Sequence, residues 1–430
     1  MKTPVSPSTT YEPGEDFARQ MDAADPLSKF RDRFCIPAAR DGSPLIYFCG
    51  NSLGLMPKAA RDAVNRELDD WAALGVDAHF DGRNAWYPYH EQFRESGARL
   101  VGARPGEVVM MNSLTVNLHL MMATFYRPTD ARYKVLTDAP VFPSDMYAIK
   151  SQVAHHGFDP ADAVVLAQPR DADHFLHEND VVSILEDHGD AVAIVLLSGV
   201  NFFTGQFMNI PPLVAAARRE GCIVGLDLAH AAGNVPLALH DWDVDFAVWC
   251  SYKYLNCGPG AVAGCFIHER HAHDPDVPRL AGWWGNDPST RFRMHLEPDF
   301  VPVASAEAWQ VSNPPILSMA PLRASLDIFD EAGMTALRIK SMRLTGYLQF
   351  LLDQMPSRRY EVMTPRDPSA RGCQLSILVN DRSRELFRRL DEEGVKGDFR
   401  EPNVIRVAPV PLYNTFHEVW RFAQLLAEQV

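Results

Sequence analysis

From about residue 107 onward, short apolar runs alternate with longer stretches in which apolar positions recur every three or four residues. EVVMM, YKVLTD, AVAIVLLSGV, CIVGLDLAH and DFAVWCSY have the length and β-branched content of buried strands. Between them, TVNLHLMMATF, PSDMYAIKSQVAHHG, VVSILEDHG and PPLVAAARREG carry helical spacing. Proline opens the second of these helices and glycine ends the last, as helix termini favour. Single helices between short apolar strands predict βαβ units, hence an α/β fold with a mostly parallel sheet flanked by helices. The last hundred residues differ. A long helical stretch, MTALRIKSMRLTGYLQFLLDQM, precedes QLSILV, RELFRRLDEEG, NVIRVAPV and a closing helix. They predict a smaller α+β domain over 325–430. The large domain then spans 27–324, with its first part packing on the small one. Residues 1–26 are polar and proline-rich and are expected to form a mobile arm.

Composition narrows the partners. The formal net charge of -14 argues against nucleic acid or an anionic membrane, though a local site can still be positive. The 7 cysteines include no CxxC pair, which points to a reduced, cytoplasmic compartment rather than a disulfide framework. The N-terminus lacks the apolar core of a signal peptide. The longest apolar run, AVAIVLLSGV, is about half a membrane span.

A parallel sheet binds ligands beyond the C-terminal ends of its strands. The residues that follow the predicted strands are Asn112 to Thr115, Phe142 to Asp145, Ser198, Asp227 with His230, and Tyr252 with Lys253. Lys253 is the oddity, an ammonium group among aromatics in WCSYKYLNCGPG. Desolvation turns a lysine amine into a nucleophile, and its best-known use is a Schiff base with a carbonyl such as pyridoxal phosphate. That cofactor needs a carboxylate at its pyridine nitrogen, backbone N–H groups at a helix start for its phosphate, and a flat side chain on its ring. Asp227, the Asn112–Thr115 stretch and Phe142 can supply these in turn. Taken singly, each has a plainer reading: a solvated lysine, a turn aspartate, a generic helix cap, a core phenylalanine. Their common position at one rim favours chemistry. HERHAHD, with His268, His271 and His273, looks like a metal cluster but shows no second half elsewhere in the sequence. GPGAVAG resembles a dinucleotide loop but leads into a strand-like segment instead of a helix. No metal site is expected.

SYKYLN and GPG, preceded by LDLAHA, resemble the pyridoxal-phosphate enzymes of fold type I, in the branch shared with cysteine desulfurases. YFCGNSLGLMP, MNSLTVNLHLMM, FPSDMYA, SGVNFFTGQ, GWWG, SNPPIL, RGCQLSI and IRVAPVPLYNTFHE narrow the resemblance to the kynureninase family, from about residue 27 to the end. The resemblance implies pyridoxal 5'-phosphate in a Schiff base on Lys253, with Asp227 at the pyridinium and Phe142 on the ring. It also implies cofactor contacts from Leu114, Thr115, the FPSD residues Pro143, Ser144 and Asp145, Ser198, His230 and Tyr252. Trp283 and Asn313 would reach the site across a homodimer interface. Arg406 would clamp the substrate α-carboxylate, with His79, Ser312, Asn313 and Asn286 near the substrate. Lys253, Tyr252 and Asp227 would carry the catalysis.

The implied reaction is hydrolysis of L-kynurenine to anthranilate and L-alanine, in tryptophan degradation or in supply of nicotinamide precursors. The family pattern varies at Asn286, which leaves the choice between kynurenine and its 3-hydroxy form open. The alternatives are a cysteine desulfurase-like or other β-lyase, which would need a mobile catalytic cysteine, an aminotransferase, a silent cofactor-binding regulator and a nicotinamide dehydrogenase. Cys373 is the sole cysteine beyond Cys265, and it introduces a strand.

Overall fold

The computed structural model describes residues 10–170, 174–355 and 359–428. In chain order its strands are β1 (Ile46–Tyr47), β2 (Val108–Met111), β3 (Lys134–Asp138), β4 (Val164–Ala167), β5 (Val192–Ser198), β6 (Ile223–Asp227), β7 (Phe246–Trp249), β8 (Ala263–Ile267), β9 (Tyr360–Val362), β10 (Leu375–Val379), β11 (Val395–Lys396), β12 (Asp398–Arg400) and β13 (Val404–Val407). Seven of them make one sheet in the order β2-β8-β7-β6-β5-β3-β4. β3 to β7 run parallel within it. β8 is antiparallel to both of its neighbours. The α/β class with a mostly parallel sheet is therefore as the apolar pattern predicts. β2, β7 and β8 are buried along their whole length, which is why they read as unbroken apolar runs.

Three features differ from the sequence reading. The edge strand β4 was not anticipated, because VVLA is partly exposed and short. The connection from β6 to β7, expected as an ordinary crossover, carries no α-helix; residues 228–245 are turns and irregular backbone. Helices Ala59–Leu74 and Arg94–Val101 occupy a region for which no elements were assigned. The link from β7 to β8, residues 250–262, is too short for a helical crossover, so the chain returns antiparallel. Lys253 lies on that link. Trp249, closing β7, lies flat over Gly264 of β8, where a Cβ would come within 2.1 Å of the indole. Only glycine admits the ring there.

Apolar side chains fill both faces of the sheet. One face holds Leu226, Trp249, Tyr254 and Phe329. The other holds Leu118, Met122, Phe125 and Phe246, with Phe125 and Phe246 stacked at 5.2 Å.

A second, antiparallel sheet has the order β12-β13-β10-β9, and β1 pairs with β11 beside it. Its core includes Leu348, Ile405 and Phe422 together with Ala18, Met21 and Phe48 from the start of the chain. Residues 1–9 of the expected arm lie outside the described residues. Glu15–Ala23 form a helix docked on that core, with Ala18 and Met21 buried. Amphipathic spacing in EDFARQMDA carries this signal. The boundary expected near 325 falls inside the helix Ile316–Ala332, and the chain turns at Gly333. Among the described residues no helix is long and apolar enough to cross a membrane.

Asp25 and Lys340 tie the N-terminal segment to the helix Met334–Asp353 by an ion pair of 2.7 Å, both side chains buried. Burial draws Lys340 below its ordinary pKa, against the pull of Asp25. Removing one partner leaves the other charge buried and alone. Lys340→Ala is expected to lose about 3 kcal/mol in urea denaturation, and Lys340→Met with Asp25→Leu to lose less than the single change. Equal losses in the single and double variants would contradict the pairing.

Candidate active site

The order of the sheet reverses between β3 and β5, and the carboxyl ends of strands flanking such a reversal form a crevice. Asp138 closes β3, Ser198 closes β5 and Asp227 closes β6. Register places Ser198 beside Asp227, and Asp227 beside Val248 of β7. The Ser198 N–H donates to Asp138 Oδ1 at 2.7 Å, which ties the two sides of the reversal together. One cavity at this rim is lined by Leu114, Thr115, Phe142, Asp145, Ser198, Phe202, Asp227, His230, Tyr252 and Lys253, with Val200 and Ala229.

Lys253 Nζ lies 3.2 Å from His230 Nε2 and 5.6 Å from the centroid of the Phe142 ring. The turn that carries it is fixed from the far side. The Gly54 N–H donates to the Tyr252 carbonyl at 2.8 Å. A Cβ on Gly54 would stand 2.3 Å from the Lys253 carbonyl oxygen and 2.8 Å from Asn256 Cα. The GNSLG stretch therefore has to have glycine where it straps the lysine turn.

Two helices begin at the cavity, Leu114–Phe125 and Pro143–His155. Neither has a side-chain cap. The first turn of one offers the N–H groups of Leu114 and Thr115, and that of the other offers Ser144, since Pro143 has no N–H and Asp145 donates to the Phe142 carbonyl. Thr115 Oγ1 and Ser144 Oγ meet at 3.2 Å between them. Two N-termini with two hydroxyls form an anion cradle.

The carboxylates differ in state. Asp145 is buried against Asp227, and one of its oxygens has no hydrogen-bond partner. Burial first, and the Asp227 charge next, push its pKa up to about 10, so it holds a proton near neutrality. Asp227 keeps a local role, accepting the Ala229 N–H at 2.8 Å. Asp138 is also raised by burial, partly offset by the bonds from Ser198 and Asn201. Burial and the Lys253 charge hold His230 well below its ordinary value, so its ring is neutral and can accept from the amine. Burial raises the Tyr252 phenol, with Cys250 and the two aspartates adding to it.

This donor set fits pyridoxal 5'-phosphate. The amine suits the aldehyde, the paired helix starts suit the phosphate, and the partnerless Asp145 oxygen beside Asp227 suits a protonated ring nitrogen.

Arg406, in β13, is buried. It donates through Nε to Asp398 at 2.8 Å and through Nη1 to the carbonyl of Phe202, a cavity residue. The other residues singled out from the sequence stand elsewhere in the single chain. The His79 ring packs on Trp86 at 5.3 Å. Trp283 contacts Trp284 and Phe292, and Phe292 contacts Phe80 and Tyr87. His79 and Trp283 thus belong to one partly exposed aromatic cluster. Ser312 bonds its neighbour Asn313, and both are exposed. Asn286 is buried, its amide spent on Thr290 and on the Val301 N–H, so in this chain it holds a loop together.

Sequence reasoning missed Asp138, Phe202 and Asp398. Asp138 follows a strand like the residues that were picked out. Phe202 and Asp398 become visible only once the small sheet is docked. HERHAHD does find a second half: His268 lies with Glu107 and His240, with ligand atoms within 4.8 Å of one another. Those atoms are engaged, since Glu107 accepts from His240 and from the Glu269 N–H at 2.9 Å each. His268 Nδ1 caps the helix Glu269–Ala272.

The profile described as "Kynureninase C-terminal domain" matches residues 337–426. The chain is similar to the kynureninase of Koribacter versatilis, 53% identical over 97% of this chain and 98% of that protein. It is similarly close to the kynureninase of Salinispora tropica, 55% identical over 97% of each. Among solved structures, the cysteine desulfurase CsdA from Escherichia coli superposes with a TM-score of 0.74 at 16% identity, over 94% of this chain and 98% of that one. A C-DES mutant with glycine covalently linked to its PLP cofactor superposes with a TM-score of 0.73 at 18% identity, over 89% and 96%. These structures share the fold.

Asp145 gives a test that needs no substrate. Its folded pKa is raised, so the cofactor-free protein gains stability from its proton at low pH. That stability is lost as pH rises from the unfolded value near ~4 toward the folded one. Asp145→Asn, which mimics the protonated side chain, is expected to melt higher than the parent at about pH 8 and to show a flatter pH profile. Identical profiles would contradict the assignment.

Proposed function

This chain belongs to the kynureninase family, and on that premise we propose that it hydrolyses L-kynurenine to anthranilate and L-alanine, using pyridoxal 5'-phosphate held at Lys253, in the breakdown of tryptophan. The convergence of Lys253, Asp227 and two uncapped helix starts on one cavity carries this reading. When bound, the cofactor supplies an aldehyde that condenses with amines and a protonated ring that draws electrons from the substrate α-carbon.

The chain's own groups do the rest. Lys253 Nζ is the base at the α-carbon. The neutral His230 accepts from Nζ at 3.2 Å and holds it in place. Asp227 is the counter-charge for the ring nitrogen, and Asp145, holding its proton, keeps a second negative charge away from that carboxylate. Thr115 and Ser144 receive the phosphate with the N–H groups of Leu114, Thr115 and the FPSD turn. Phe142 would cover one face of the ring. Water adds to the side-chain ketone carbon, which leaves as the carboxyl of anthranilate when the Cβ–Cγ bond breaks. Tyr252, which keeps its phenolic proton near neutrality, would pass that proton to Cβ, which departs in L-alanine. Arg406 takes the α-carboxylate through its guanidinium edge.

The active unit in this reading is a cytoplasmic homodimer in which Trp283 and Asn313 reach the partner's cofactor site, with His79, Ser312 and Asn286 near the substrate. Two observations support it. The aromatic cluster that holds His79 and Trp283 exposes Phe80 and Phe292 by more than half. An apolar groove, lined by Leu53, Met56, Val64, Pro259 and Pro321 among others, runs beside the strap on the Lys253 turn. Within each copy, the cofactor-binding domain would run from about 27 to the turn at Gly333, and the small domain from there on. The cysteine desulfurase-like alternative needs a mobile thiolate. Cys373 is fully buried, and burial pushes its thiol up to about 12.

Purified protein given pyridoxal phosphate and L-kynurenine is expected to release anthranilate, followed by its fluorescence, with the 3-hydroxy substrate run in parallel to set the preference. Lys253→Ala is expected to fold and to lose at least ~1,000-fold in kcat. A near-normal rate in that variant would overturn the assignment of the base. The shared site has its own test. Equal amounts of Lys253→Ala and Trp283→Ala copies, unfolded and reassembled together, are expected to recover about a quarter of the parent rate, because half the dimers are mixed and each carries one intact site. No recovery would place Trp283 outside the partner's site.

A further inference from the structure

We infer that Asp398 is a positioning residue for substrate recognition, holding Arg406 in the orientation that accepts an α-carboxylate. This rests on the proposed role of Arg406. Asp398 and Arg406 face each other across β12 and β13, in direct register. Asp398 Oδ1 accepts from Arg406 Nε at 2.8 Å and lies 2.7 Å from Arg406 Nη2. The second contact is an ion pair in distance alone. Buried Nη2 has no hydrogen-bond partner. Nη1 spends one hydrogen on the Phe202 carbonyl. The guanidinium is therefore clamped at Nε on one flank and at Nη1 on the other, while buried Nη2 makes no hydrogen bond of its own. A ligand carboxylate that reaches Nη2 from the Phe202 side would find an uncommitted charge-assisted donor there.

Arg400 completes the device. It donates to Asp398 Oδ1 at 2.8 Å and to Oδ2 at 3.2 Å, so the carboxylate is held from both sides by guanidinium groups. The three groups carry one net positive charge, and that charge is the attraction left for an anionic ligand. Without Arg400, Asp398 would neutralise Arg406. Without Asp398, two like charges would stand together and Arg406 would lose the bond that sets its plane. Phe202 adds a link to the cofactor side, since its ring packs edge-on to Phe142 at 5.3 Å. The orientation of Arg406 thus also bears on the wall of the cavity.

The test uses the cofactor-loaded protein and two probes that lack the α-amine. One, 4-(2-aminophenyl)-4-oxobutanoate, keeps the carboxylate; the other, 1-(2-aminophenyl)propan-1-one, does not. Asp398→Asn is expected to weaken binding of the first, by calorimetry, about tenfold or more, and to leave the second unchanged within about twofold. In turnover the same variant should raise KM for L-kynurenine more than it lowers kcat. Asp398→Glu, which keeps the charge one methylene away, should recover part of both effects and stands in if the asparagine variant does not fold. Equal weakening of both probes, or of neither, would overturn the positioning role. If the parent protein fails to turn over L-kynurenine yet Asp398→Asn still separates the probes, the family reaction falls and the carboxylate site stands.

Discussion

A parallel sheet gathers the polar ends of its strands at one edge, and in this protein that edge brings together groups that water would otherwise keep apart. Asp138, Ser198 and Asp227 each close a strand, and register alone sets them side by side. Lys253 follows on the short return from β7. Burial then decides the state of each group. Asp145 takes a proton and His230 stays neutral, so the cavity contains defined hydrogen-bond donors and acceptors instead of a set of competing charges.

The rest of the molecule holds this edge in place. The N-terminal GNSLG strap passes so near the lysine turn that one residue has to be glycine. From the small sheet, Gln374, Ser376 and Arg406 reach the carbonyls of Phe202 and Phe203, so the loop that supplies a cavity wall is gripped by a different layer of the fold. A conformational change in the small sheet would be felt at the cavity through those carbonyls.

Much of this was legible in the sequence because buried parallel strands write themselves as continuous apolar runs. KVLTD, VAIVLLS, IVGLD and FAVW could be placed, and with them the rim residues Asp145, Ser198, Asp227, His230 and Lys253. β4 could not, since an edge strand with an exposed face loses the apolar signal. Nor could the helix-free path from Asp227 to β7, where turns replace the crossover that a strand spacing alone implies. Asp398 was invisible for a different reason. Its meaning comes from a cross-strand partner in a three-residue strand, and short, polar strands have almost no pattern to read. Trp283 and His79 were reached through motifs, and in a single chain they lie in an aromatic cluster away from the cavity.

The most direct measurement is to saturate the protein with pyridoxal phosphate, reduce with borohydride, and locate the pyridoxyl group by peptide mass. The account predicts one major label, on Lys253, with the visible absorbance of the loaded protein absent in Lys253→Ala. A label spread over exposed lysines, or undiminished absorbance in that variant, would contradict it.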